Sequence, residues 1–380
     1  MCKRVYGVPF LFGRKNVDIK SVTITLTRAC NLACVYCYEH NKDSESISFE
    51  TAKSIIDYEF ANLSENQNIE LSLFGGEPFL EFDLIKSITA YIRTKKEKDR
   101  CMIFITTNGT LIHGEIKDWL VNNRDLCVCG LSLDGTREMH NVNRSNSYDD
   151  IDIEFFLKQY GDQGVKMTIS IESLPSLFEG VKAIQEKGFH VWCNLAYGIE
   201  WDIKRDSIIL ERELNKLIDF YLGNPEILPC SILDMKIKNI ATHENVAYKY
   251  CGCGTAMSAY DINGKRYPCQ YFMPLSIGDK KANEAMMIEF PEGIIPEDKL
   301  DDKCKNCVIR SVCINCYGSN YNESGSIYKR NDTMCELTKI IAKANSYFII
   351  QKWKNNLLEE NNNDVNLTLM AALKIQENLS

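Results

Sequence analysis

The sequence predicts an α/β protein: a partial (β/α)6 TIM-like barrel, then a small Cys-rich domain, then C-terminal helices. Three observations carry that expectation. Apolar, β-rich stretches alternate six times with segments of helical periodicity between Val22 and Leu222. The alternation stops after Pro225, where glycines, asparagines and cysteines take over. Finally, 17 of the 380 residues are cysteine, most of them clustered.

The strands are expected at Val22–Thr27, Ile69–Phe74, Met102–Thr107, Cys127–Leu133, Val165–Ile171 and His190–Ala196. Helical spacing falls at Phe49–Leu63, Phe82–Lys95, Ile112–Asn122, Ile151–Tyr160, Ser176–Lys187 and Ser207–Leu222. Such alternation implies right-handed crossovers and a parallel sheet. Six units fall short of the eight of a closed barrel, so an open one is expected. The expected division is an extension over 1–20, the barrel over 21–222, a linker over 223–249, the Cys-rich domain over 250–345 and a helical tail over 346–380.

With 44 basic and 52 acidic side chains the formal charge is -8, which argues against a duplex nucleic acid partner. No run of apolar residues is long enough to span a bilayer. Met1 to Phe12 lacks the apolar core and cleavage site of a signal peptide, so a cytoplasmic location is expected. Thiols stay reduced there, and clustered cysteines then point to metal rather than to disulfides.

Cys30, Cys34 and Cys37 form C-x3-C-x2-C directly after the first strand. Three thiolates this close can hold three irons of a cubane and leave the fourth without a protein ligand. The alternative is structural zinc with His40 as a fourth ligand.

The segment CNLACVYCYEH resembles the radical S-adenosylmethionine (SAM) enzymes, whose three cysteines bind a [4Fe–4S] cluster with SAM on the open iron. Tyr36 occupies the aromatic position of that motif. Gly75-Gly76-Glu77-Pro78 is similar to the family's GGEP, whose backbone and Glu meet the methionine amino group. Thr107-Asn108-Gly109-Thr110 follows the third strand as a TNGT segment does in the family. Ser132-Leu133-Asp134-Gly135, with His140 and Arg144, resembles a region whose serine and arginine are candidates for the SAM carboxylate. Each piece alone reads as a turn. Together they fall in order, one per strand end, where a βα barrel places its active site. The resemblance implies one-electron cleavage of SAM to a 5′-deoxyadenosyl radical, which abstracts hydrogen from an unactivated carbon.

The last third carries Cys251, Cys253, Cys269, Cys304, Cys307, Cys313, Cys316 and Cys335. This run resembles the SPASM domain of radical SAM enzymes that act on peptides and proteins. By that resemblance one auxiliary [4Fe–4S] cluster takes Cys251, Cys253, Cys269 and Cys316, and the other takes Cys304, Cys307, Cys313 and Cys335. That makes three clusters with the SAM-binding one. The chain departs from the pattern in having two residues, Ile314 and Asn315, between Cys313 and Cys316 where the family has three. If Cys253 is not a ligand, the first auxiliary cluster has an open iron. Two zinc knuckles are the alternative. Cys2, Cys101, Cys127, Cys129, Cys193 and Cys230 lie mostly in or beside strands and read as core packing.

Relatives of this architecture include anaerobic sulfatase-maturating enzymes, in which an Asp follows the hairpin cysteine as general base. Gln270 stands there instead, and an amide cannot take up a proton at neutral pH. The expectation is a radical SAM maturase of a peptide or protein, supplied with electrons by a flavodoxin- or ferredoxin-type donor. A small-molecule radical SAM enzyme and a non-catalytic iron–sulfur or zinc module are the alternatives. Only about 20 residues precede the first strand, too few for a folded leader-recognition domain. No catalytic acid or base stands out, although Tyr197, Glu172 and Tyr271 are placed to line a cavity.

Overall fold

The computed structural model describes residues 18–243, 246–359 and 362–379. Most of the expected N-terminal extension (residues 1–17), with Cys2, lies outside them.

Six strands run parallel: β1 (Asp18–Thr27), β2 (Gln67–Gly75), β3 (Cys101–Thr107), β4 (Cys127–Ser132), β5 (Val165–Ile169) and β6 (Val191–Leu195). The helices of this part are α1 (Phe49–Ala61), α2 (Phe82–Arg93), α3 (Gly114–Asn122), α4 (Arg137–Asn143), α5 (Ile153–Tyr160), α6 (Leu177–Glu186) and α7 (Ile203–Gly223). All six expected strand–helix units are present. The short α4 was not expected; Thr136 starts it by accepting from the Met139 amide. Ile69, Leu71 and Leu73 of β2 belong to the main apolar core, whereas Glu70, Ser72 and Phe74 line a cavity in the barrel lumen. The period-two pattern of that strand therefore separates core from lumen.

A hairpin turning at Asn263-Gly264 forms between β7 (Met257–Tyr260) and β8 (Arg266–Tyr267), with Gly264 at φ 77°. No local pattern marks the parallel pairing of β7 with β1, from Ser21↔Met257 to Ile24↔Tyr260. One sheet therefore runs β6-β5-β4-β3-β2-β1-β7-β8.

The long helix expected from Leu337 begins earlier, at Asp332, where Asn331 caps it, and runs to Lys354. Its Leu337, Ile341 and Phe348 join the barrel's core. The final helix, Asn363–Leu379, buries Ala371, Ala372 and Ile375 with Ile237, Ile240 and Ile309. No helix among the described residues is long and apolar enough to cross a membrane.

Candidate cofactor and substrate site

The cysteine loop after β1 is held by backbone contacts that only glycine permits. Gly75 has φ 138°, outside ordinary L-residue space, and a Cβ there would lie 2.1 Å from the Thr27 oxygen. At Gly76 a Cβ would lie 2.1 Å from the Ala29 oxygen and 2.8 Å from the Cys30 Cβ. The Gly76 amide donates to Thr27 O at 3.1 Å and the Glu77 amide to Ala29 O at 2.9 Å. The GGEP turn thus lies directly against the backbone leading into Cys30, and Pro78 opens a single 3₁₀ turn behind it.

Glu77 is 1% exposed. Its Oε1 accepts from Thr107 Oγ1 at 2.9 Å and from the Phe79 amide at 3.2 Å, and its Oε2 from the Asn108 amide at 2.9 Å. Burial nevertheless pushes its carboxyl up to about 7. Asn108 in turn donates to Asn31 Oδ1 at 2.9 Å, and Asn31 to Thr110 Oγ1 at 2.8 Å, tying the cysteine loop to the end of β3.

Asp134 is fully buried and anchors the other side. Its carboxylate accepts from Tyr36 Oη at 2.5 Å, Arg144 Nε at 2.8 Å, Asn143 Nδ2 at 3.2 Å and the Thr168 amide at 2.9 Å. Arg144 also lies 5.4 Å from the Tyr36 ring centre. Asp134 and Arg144 are thus paired with each other, and Tyr36 fastens the cysteine loop to that pair. Ser132 is buried at the end of β4, beside Lys166 in register. His140 accepts from the Asp134 amide at 3.2 Å and faces Ser147 Oγ, and burial holds its pKa down at about 4, so it is neutral.

The three thiols of the first loop are half-buried and close enough to act on one another electrostatically; burial raises those of Cys30 and Cys34. Cys253 and Cys269 share a thiol hydrogen bond and feel Cys251 and Cys316. Cys304, Cys307, Cys313 and Cys335 form the second quartet by the same criterion. The fold thus places Cys253 near Cys251, Cys269 and Cys316, and Cys304 near Cys307, Cys313 and Cys335. Among the described residues no three such side chains are set for a single metal ion. That geometry is the requirement of one ion; a cubane takes each thiolate on a separate iron. Arg330 hydrogen-bonds Cys313 Sγ, and Arg330, Lys339 and Lys303 oppose the burial that pushes the Cys335 thiol up. This cationic surround suits a cluster of net negative charge. Between the first loop and the first quartet, the Tyr38 and Tyr271 rings stack with centres 4.8 Å apart and planes 10° from parallel. Cys101, Cys127, Cys129, Cys193 and Cys230 are buried in the main apolar core.

The lumen contains a partly open cavity of about 190 Å3. Glu70, Ser72, Phe74, Phe104, Thr106, Lys166, Cys251 and Gln270 are in its wall. Glu70 and Lys166 went unnoticed in the sequence. The available signal was a single charge on the polar face of β2 and another at the start of β5. Of the cavity residues suggested by sequence, Tyr197, Glu172 and Tyr271, none is in its wall.

Residues 21–149 match the family described as a 4Fe-4S single cluster domain. An uncharacterized protein of Methanocaldococcus jannaschii is 29% identical over 310 residues, 79% of this chain and 98% of that one. Fe-coproporphyrin III synthase of Methanosarcina barkeri is 38% identical over 125 residues, 32% of this chain and 29% of the synthase. Among solved structures, anSMEcpe with bound AdoMet superposes with a TM-score of 0.69 at 19% identity, covering 93% of this chain and 98% of that one. SuiB of Streptococcus suis bound to precursor peptide SuiA gives a TM-score of 0.56 at 17% identity, covering 84% and 76%. The two solved structures share the fold over most of this chain. The ordered motif and the cluster-domain match fall on the same stretch, residues 21–149, and the solved structures share the fold of this chain.

Proposed function

We propose that the chain is an enzyme that cleaves SAM reductively and abstracts hydrogen from a side chain or the backbone of a peptide or protein. In this reading it carries three [4Fe–4S] clusters and takes electrons from a flavodoxin- or ferredoxin-type protein. SAM on the reduced first cluster supplies a 5′-deoxyadenosyl radical. Cys30, Cys34 and Cys37 hold that cluster. Cys251, Cys253, Cys269 and Cys316 hold one auxiliary cluster, and Cys304, Cys307, Cys313 and Cys335 the other. Gly75, Gly76 and Pro78 shape the methionine side of the pocket. Glu77 offers the lone pairs that its three protein donors leave open to an ammonium group. Arg144 commits Nε and Nη2 to Asp134 and presents its other N–H donors to a carboxylate. Thr107, Asn108 and Ser132 complete the rim, and the Asp134–Tyr36 contact fixes the cysteine loop against it.

The observation that carries the peptide reading is the size of the lumen. A cavity of about 190 Å3 holds one amino-acid residue. Pockets for small organic ligands run to roughly 300–1,000 Å3, and a tetrapyrrole needs the upper part of that range. SuiB, with the same fold, has been solved with its precursor peptide. Gln270 supports a route other than formylglycine formation through a base at that position, because its amide cannot accept a proton.

The test is anaerobic turnover of the reconstituted enzyme with peptides encoded beside its gene, followed by mass spectrometry. The expected result is 5′-deoxyadenosine formed in step with a peptide mass change. Turnover coupled to a nucleotide or tetrapyrrole, with no peptide altered, would overturn the proposal.

A further inference from the structure

The lumen holds a carboxylate and an ammonium that are not joined to each other. Glu70 is 5% exposed, and its Oε2 has no hydrogen-bond partner. Lys166 donates to Thr106 Oγ1 at 2.9 Å and lies 4.9 Å from the centre of the Phe104 ring. No ion pair links Glu70 and Lys166, although both are in the wall of the same cavity. Gln270 adds a buried carbonyl oxygen, Oε1, that also lacks a partner. Two buried acceptors without donors are costly in an empty chamber and become favourable when a ligand supplies the N–H. The Phe104 ring is seated by Gly130, where a Cβ would lie 2.8 Å from it. Lys166, reaching from β5, therefore lies over a fixed aromatic floor on the lumen face of β3.

We propose that Glu70 and Lys166 are the residues that grip the substrate in the lumen, and that the group they grip is an uncharged amide. Glu70 accepts from its N–H, and Lys166 donates to its carbonyl oxygen. One acceptor on β2 and one donor held over β3, in the wall of one cavity, match the two ends of a peptide unit. A carboxylate ligand would meet Glu70 as a like charge, and an ammonium ligand would meet Lys166 as one. The cavity volume fits one such unit with its side chain. Thr106 directly precedes Thr107, which bonds Glu77, and Phe74 directly precedes the GGEP turn, so an amide held here lies next to the cofactor pocket. This assignment rests on the peptide reading above and names how that substrate is recognised.

The experiment is calorimetric titration of the reconstituted full-length protein, under anaerobic conditions and without reductant, with N-acetylalanine methylamide. The dimethylamide, which lacks the N–H, and acetate are titrated in parallel. The methylamide is expected to bind best. Replacing Lys166→Met should weaken it ten- to a hundredfold, the range for loss of one hydrogen bond to a charged donor. Replacing Glu70→Leu should abolish the preference for methylamide over dimethylamide. Iron content and circular dichroism establish that each variant is folded and loaded. If either variant does not fold, the comparison of the two amides in the parent protein decides. Equal affinity for the two amides, or tighter binding of acetate, overturns the assignment. No SAM is cleaved in this titration. A positive result alongside peptides that are never modified would sink the peptide-modifying reading and leave amide recognition standing.

Discussion

Asp134 offers the sharpest test of how the site is built. Its carboxylate is fully buried and receives Arg144, Tyr36, Asn143 and the Thr168 amide. Replacing Asp134→Asn keeps an oxygen for the Thr168 amide but leaves the Arg144 guanidinium, itself 7% exposed, without its counter-charge. Breaking one side of a buried ion pair costs about 3–5 kcal/mol. For a barrel of this size that is a fall of roughly 2–4 °C in the unfolding midpoint per kcal/mol. The Arg144→Met variant should lose a comparable amount, and the double variant should lose less than the sum, because no charge is then stranded. The assay is a double-mutant cycle in urea, followed by far-ultraviolet circular dichroism. Tyr36 supplies a second readout. Freed from Asp134, its phenol should become more open to ultraviolet difference titration. A single variant within about 1 kcal/mol of the parent, or strict additivity in the cycle, would refute the hub.

Three further outcomes follow from named contacts. Burial raises the Glu70 carboxyl from 4.5 to about 7, so the folded state binds its proton more tightly than the unfolded chain does. Stability from this group is full below about pH 4.5 and falls as pH rises to about 7, by roughly 3 kcal/mol; Glu70→Gln should flatten that part of the stability–pH curve measured by urea midpoints. Gly76→Ala would place a methyl 2.1 Å from the Ala29 oxygen, and should lower iron incorporation at the first loop, read as about four irons per chain by metal analysis. Replacing Cys30, Cys34 and Cys37 together with Ala should abolish SAM cleavage, whereas Cys304→Ala with Cys307→Ala should lower the iron by about four and leave the cluster of the first loop detectable by electron paramagnetic resonance.

Much of this was legible in the order of residues. The six βα units are periodic over whole elements, and local periodicity survives tertiary packing. The clustering of the cysteines marked them as more than core packing, but their division into two quartets came from the SPASM resemblance and not from spacing. What was not legible is what depends on long-range register. Ile69-Glu70-Leu71-Ser72 announces a polar face, but a pattern of period two cannot tell bulk water from an enclosed lumen. The pairing of Asp134 with Arg144 was hidden for a similar reason. The arginine was read as facing the cofactor, and only the short α4, capped by Thr136, brings it back over the strand end onto Asp134. The pairing of β7 with β1 joins residues more than two hundred positions apart and leaves no local trace.

That last pairing makes the two halves of the molecule mechanically inseparable. The four residues Ser21–Ile24 present one flank of backbone N–H and C=O groups to Met257–Tyr260. A chain truncated ahead of Met257, or one whose later segment fails to order, leaves that flank bare. An uncapped, apolar parallel strand of this kind is a template for intermolecular association. Solubility of the nascent chain is thereby tied to maturation of its distal third.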